Sequence, residues 1–284
     1  MIRLGHIEYS NCIPVHARLL EPDAPAWLQV CWGVPSELNR ALAEGAIDVA
    51  PCSSIEYARH ADEYRLLPDF TIASRGAVQS ILFETRVPIA ALDGALVALP
   101  TASATSVVLL RILLARHWGV APHFRAFDQA HEDPFASGAQ AALWIGDVAL
   151  RRPVPAAHHR HDLGSEWRTW TGLPFAFAVW QVRRELDAAD VQRLRAELHA
   201  SRAWFLAHEA ELAHRYASGF GLSSERLRHY WSSLVYDLDA DVRRGLLRFL
   251  AEAAALAEAP PVAGLAFASG ASGVQGTRPE LDRA

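Results

Sequence analysis

From its first residue to about residue 180 the chain alternates short apolar runs with stretches of helical periodicity, and that rhythm restricts its fold more than any other feature. Ile2 to Ile7 reads as a strand. Pro14 to Leu20 reads as a helix with proline in its first turn, where a missing N–H leaves no bond unmade. Trp27 to Trp32 is a second strand. Ser36 can cap a helix through Ala43, which Gly45 ends before a strand from Ile47 to Ala50, and Ser53-Ser54 opens a further short helix. Strand, helix and strand in this order predict a mainly parallel sheet covered by helices.

A longer extended stretch runs from Thr71 to Glu84, and Pro88 with Asp93-Gly94 separates it from a second α/β series. There Ala95 to Leu99 and Ala141 to Ile145 read as strands, and Ser103 to His117 as a helix with Val107, Leu110 and Leu114 on one face. Leu173 to Val179 is apolar enough to be a strand returning to the first series. Beyond Arg183 the pattern is helical only, with Val191, Leu194, Leu198 and Trp204 in register and restarts at Ser223 and Asp239. The expected division is a first lobe over 1–86, a second over 87–172, a return strand and helices over 173–262 packing on the first lobe, and a disordered tail over 263–284. Two α/β series joined by extended crossings predict a two-lobed α/β protein of the type II periplasmic-binding-protein kind, with a ligand cleft between the lobes and C-terminal helices.

Charge and composition remove several function classes. A net charge of -5 supplies no basic excess for phosphate backbones, so no nucleic-acid partner is expected. The opening MIRLGHIEYSNCIP lacks a basic segment followed by a long apolar one, and no apolar run reaches 18 residues, so neither a secretory signal nor a membrane span is expected and the reading is cytoplasmic. Cys12, Cys31 and Cys52 are odd in number and show no CxxC spacing, which fits reduced core thiols. The run His158-His159-Arg160-His161-Asp162 has no second ligand cluster at zinc-type spacing and reads as a solvated loop, so no metal is expected. Motifs for nucleotide phosphates, zinc proteolysis and the hydrolase nucleophile elbow do not occur.

Two segments place hydroxyls where a strand gives way to a helix: Asp48 to Ser54, and Ala98 to Ser106 with Thr101, Ser103, Thr105 and Ser106. A helix start offers unpaired N–H groups and a partial positive charge, to which serine and threonine add donors. Read singly, each is an ordinary cap; read together, two such starts facing one cleft suit a dicarboxylate. Asn11, in YSNCIP, also follows a strand, either as a turn residue or as an amide that donates to and accepts from a ligand.

The stretches GHIEYSNCIPVH, GAIDVAPCSSIEYA, LLPDFTIASRGAVQSILF, LPTASATSVVLLRILL, AALWIGDVAL and DLGSEWRTWTGLPFAFAVW cover most of residues 1–181. In combination they resemble the futalosine-pathway menaquinone-biosynthesis family, on its chorismate-dehydrating side rather than that of the sister dihydroxynaphthoate synthase. The resemblance implies a hydro-lyase that converts chorismate to 3-[(1-carboxyvinyl)oxy]benzoate without metal or organic cofactor. It also implies catalytic roles for Asn11 and Ser80, and substrate contacts from Ser53 and Ser54, from Ser103, Thr105 and Ser106, and from Gly146-Asp147 of the IGD motif. A binding or sensing protein for a small carboxylate is the other use such a fold allows. The sequence names no side chain as proton acceptor and no oligomeric state.

Overall fold

The structure, a computed structural model, describes residues 1–153 and 155–268. Among these residues the strands form two sheets. The chain lays down β1 (Ile2–Ile7), β2 (Leu28–Gly33), β3 (Val49–Ser53) and β4 (Tyr64–Ser74) in the first sheet. It then crosses to β5 (Ile81–Thr85), β6 (Leu96–Pro100), β7 (His123–Phe127), β8 (Ala141–Ile145) and β9 (His159–Asp162) in the second. It returns as β10 (Phe175–Arg183), and a short β11 (Val235–Asp237) closes one edge of the first sheet. The spatial orders are β11-β4-β10-β3-β1-β2 and β7-β6-β8-β5-β9.

The two sheets are mixed rather than mainly parallel. β1 pairs in parallel with β2 and β3, and β6 with β7 and β8, as the strand–helix rhythm requires. The antiparallel pairs are those of the crossing strands, β10 against β3 and β4 and β5 against β8 and β9, together with the edge strand β11 against β4. Because β5 belongs to the second sheet, the crossing falls at residues 75–80, earlier than the division after 86 expected from the Pro88 break. The run from His159 to Asp162, expected as a solvated loop, is an edge strand; its polar side chains reflect the edge, and its backbone bonds go to β5.

Helices α1 (Ile13–His16), α2 (Pro35–Ala43) and α3 (Ser54–Arg59) follow the strands of the first sheet, and α4 (Thr105–Ile112), α5 (Gly146–Arg151) and α6 (Leu163–Thr171) those of the second. The chain continues through α7 (Ala188–Ala217), α8 (Ser224–Ser233) and α9 (Ala240–Ala255), whose caps are Asp187, Ser223 and Asp239, each accepting a first-turn N–H. α7 packs on α1 and α8, while α9 packs on β10, α3 and α4 and so touches both lobes. No described helix is long and apolar enough to cross a membrane. The tail expected from residue 263 is hydrogen-bonded to β4 as far as Ala268, through Leu66 N to Ala266 O at 2.8 Å and Ala268 N to Leu66 O at 2.9 Å; its remainder lies outside the described residues.

β10 is buried at every position up to Val182, which explains its near-continuous apolar sequence: both faces of the strand are covered. Trp180 on the strand and Trp167 beside it are among the largest fully buried side chains, with Phe175 and Phe249 edge-on to Trp167. All three cysteines are free, Cys12 and Cys52 deep in the core.

One polar chain is sealed into the first lobe. Trp180 Nε1 donates to His16 Nε2 at 3.1 Å, and His16 Nδ1 lies 3.0 Å from His6 Nδ1. An indole only donates, so the His16 proton sits on Nδ1 and is given to His6 Nδ1, which leaves the His6 proton on Nε2. Burial holds both rings neutral: His6 is pushed down to about 3, and His16 well below its ordinary value. The unfolded chain therefore takes up protons near pH 6.5 that the folded chain refuses, and this stability is complete above that pH and lost below it. We expect the unfolding free energy to fall by about 1.4 kcal/mol per pH unit for each ring as pH drops from 6.5 toward 4.5. Denaturant titrations across that range check this; His6→Leu should flatten the slope by about half, since one of the two titrating rings is gone.

Candidate active site

The carboxyl ends of β1, β3, β6 and β8 converge, and the residues just beyond them line a narrow cleft. The first lobe supplies Tyr9, Asn11 and Ser53, with Ile72 from β4 and Phe177 and Ala178 from β10. The second supplies Ile81, Ser103, Ser106, Ile145 and Gly146. The wall is apolar with a few hydroxyls and one amide, and carries no charged side chain. The chain contains no lysine at all, so no Schiff base and no ammonium can serve here.

Both expected helix starts reach this one cleft, but they share the labour unequally. Ser53 precedes α3 without capping it, its side chain free of any cap bond. Ser103 Oγ accepts from Ser106 N at 3.3 Å and lies 3.1 Å from Ser106 Oγ, so the two hydroxyls form a pair at the start of α4. Ser54, by contrast, is wholly buried and donates to Ala176 O of β10 at 2.8 Å. Thr105 faces α3, where its Oγ1 accepts from Ile55 N at 3.2 Å. These two expected substrate contacts are outside the wall because each hydroxyl already serves a buried backbone group.

Gly146 and Asp147 divide in the same way. Gly146 lines the cleft at φ 62°, and a Cβ there would stand 2.9 Å from the Tyr9 ring, so only glycine lets Tyr9 cross from the other lobe. Asp147 is a lock between the lobes: its carboxylate accepts from Ser10 N at 3.0 Å and from Ser10 Oγ. Burial pushes its pKa up, and the Ser10 bonds oppose that rise. Burial likewise pushes the Tyr9 hydroxyl up to about 12, with the Asp147 charge adding to the effect, so Tyr9 keeps its proton at neutral pH.

Asn11 lines the cleft, and its Oδ1 is buried without a hydrogen-bond partner. Ser80 is 1% exposed and stands one step behind the wall, between the cleft and α8. Its Oγ lies 2.8 Å from Tyr230 Oη, and its carbonyl accepts from Gly146 N at 2.8 Å. The segment that carries it is clamped by Asp162, whose carboxylate accepts from Val78 N (3.0 Å) and Gln79 N (2.6 Å) and also caps α6 through Gly164 N and Ser165 N. Gln79 takes a left-handed φ of 65°, which turns the strand into its crossing. Tyr230 is not singled out in the sequence, and Asp162 reads there only as the end of a solvated loop. Asp162 preceding an apolar helical stretch is a legible cap, whereas Tyr230 offers no signal beyond its place in a helix.

Among the described residues, His6, Cys12 and His16 bring three possible metal ligands together. The Trp180 donor fixes the His16 proton on Nδ1, the atom that a metal would need, so this trio is a hydrogen-bonded core chain and not a ligand set. His158 is bonded to buried Glu84 at 2.6 Å, and Asp162 is spent on backbone groups.

Residues 2–255 match a family described as menaquinone biosynthesis. Chorismate dehydratase of Thermus thermophilus is 36% identical over 275 residues, covering 90% of this chain and 96% of that protein. The 1,4-dihydroxy-6-naphtoate synthase of the same organism is 27% identical, over 87% of this chain and 90% of that one. Among solved structures, the periplasmic aliphatic sulphonate binding protein of Escherichia coli superposes with a TM-score of 0.65 at 16% identity, over 91% of this chain and 88% of that one. The architecture is thus periplasmic-binding-protein-like.

The inward and outward roles of the SATS hydroxyls are separable. Thr105→Val removes the acceptor of a buried N–H and is expected to cost about 1–3 kcal/mol of folding stability with no ligand present. Ser103→Ala, at the cleft surface, should cost less than half of that. Chemical denaturation of the two variants decides it; equal losses would return Ser103 to a purely structural role.

Proposed function

The chain belongs to the menaquinone biosynthesis family, and from that premise we propose that it is a hydro-lyase removing water from chorismate to give 3-[(1-carboxyvinyl)oxy]benzoate. The observation that carries the reading is the cleft wall: hydroxyls and an amide drawn from both lobes, and no charged side chain. Chorismate bears two carboxylates on a small ring. Hydroxyls and N–H groups at the starts of α3 and α4 supply neutral donors for them.

The chemistry matches a wall without a strong base. The ring proton leaves the carbon that bears the enolpyruvyl ether, its C–H electrons form the new double bond, and hydroxide departs from the neighbouring C4. The ring becomes aromatic, which supplies the driving force. What remains for the protein is to orient the ring, to exclude water, and to stabilise charge on the departing oxygen. In this reading Asn11, on the cleft wall, donates to the leaving hydroxyl, and Ser80 supports it from behind the wall. Tyr9 stays protonated at neutral pH, so we assign the proton to a carboxylate of the substrate itself. No cofactor enters this scheme.

Incubating the protein with chorismate and following the enolpyruvyl-oxybenzoate by mass spectrometry tests the reading. Product formation is expected. Tight binding of chorismate without turnover would favour a binding protein, and turnover of a larger cyclic nucleosidic acid in its place would favour the sister synthase. Asn11→Ala should lower kcat by about 10²-fold or more, the range for a lost transition-state donor, with chorismate binding changed only a few-fold. Near-wild-type turnover in that variant would remove Asn11 from the reaction.

A further inference from the structure

Tyr230 stands on α8, some 150 positions along the chain from Ser80, yet its hydroxyl ends beside the two side chains that the reaction needs. The phenol is 1% exposed. Its Oη is 2.8 Å from Ser80 Oγ, with the Asn11 side chain near the same oxygen. An Asn NH₂ group only donates, and a phenol has one proton to give. The phenol proton therefore goes to Ser80 Oγ. Three capacities are left over, the first being the Asn11 Nδ2–H that can donate to a departing oxygen. Asn11 Oδ1 is an acceptor that nothing in the protein satisfies, and Ser80 keeps a proton to donate.

α8 is tied to the strand ends that carry these residues. Trp231 Nε1 donates to Ser10 O at 2.8 Å, next to Asn11, and Arg226 reaches the Gln79 side chain, next to Ser80. Ser233 Oγ donates to Tyr230 O at 2.7 Å within the helix. A tyrosine with only a packing role would need none of this alignment.

We propose that Tyr230 is a positioning residue, whose hydroxyl donates to Ser80 Oγ beside the Asn11 amide and so leaves the Ser80 proton available for donation. The claim deepens the dehydratase reading and rests on it for its kinetic consequence.

Tyr230→Phe keeps the ring and removes only the hydroxyl. We expect kcat for chorismate to fall by about ten- to a hundred-fold with KM within about two-fold, because orientation and not binding is lost. In a Ser80→Ala background the same change should add less than about two-fold, since its partner is already gone. A kcat within two-fold of wild type, or the full loss repeated in the Ser80→Ala background, overturns the proposal. If the wild-type protein does not turn chorismate over, the functional reading falls separately. The positioning claim is then decided by a crystal structure of Tyr230→Phe: a reoriented Ser80 hydroxyl upholds it, and an unchanged Ser80 side chain overturns it.

Discussion

The whole arrangement depends on one strand, β10, being inserted between β3 and β4. Its antiparallel bonds to β3 run from Ala178–Ser53 to Val182–Val49, and those to β4 from Phe175–Ser74 to Arg183–Tyr64. Without it the first sheet would divide into two pieces, since β3 and β4 have no other link. The insertion also forces the chain to cross between the sheets twice, once outward after β4 and once back after α6. Those paired crossings bring the carboxyl ends of four parallel strands to one place. The cleft is a consequence of that topology, and Phe177 and Ala178 of β10 form part of its wall.

Much of this frame is written in local patterns. β1, β6, β8 and β10 are apolar runs of strand length between turn residues, and Ser223 and Asp239 announce their helices by capping chemistry. The missed elements are edge strands. β7 reads HFRAF with only its last residue buried, and β9 reads HRHD; neither faces a core on which a period-two pattern could register. The place of the crossing was missed for a related reason. Ile81 to Thr85 is apolar in either sheet, and only its pairing with β8 and β9 assigns it to the second.

The site was legible to a smaller depth. The sequence shows that Ser53, Ser54, Ser103, Thr105 and Ser106 sit at helix starts, because helix starts are local. Which hydroxyls turn into the cleft and which hold backbone is a matter of tertiary contact. Thr105 and Ser106 are adjacent, yet one is committed to Ile55 N while the other lines the wall. Tyr230 is the extreme case. Its value lies in a meeting of residues near 10, 80 and 230, and no window along the chain contains that meeting.

A wall without cations has a kinetic logic for a ligand with two carboxylates. An arginine or lysine would hold those groups equally in the ground and transition states, and uniform binding of that kind lowers KM without raising kcat. It would also hold the aromatic product, which keeps both carboxylates. Neutral donors bind each carboxylate more weakly. In the proposed reaction that leaves the hydrogen bonds at Asn11 and its neighbours as the contacts that strengthen as charge appears on the departing oxygen. Binding then depends on short-range fit, because the net charge of -5 provides no attractive field for an anion. Such a site needs its few polar atoms held rigidly in place. The Asp147–Ser10 lock, the Asp162 clamp on the Ser80 segment and the Tyr230 hydroxyl each remove one freedom from those atoms. In this fold, precision of placement substitutes for charge.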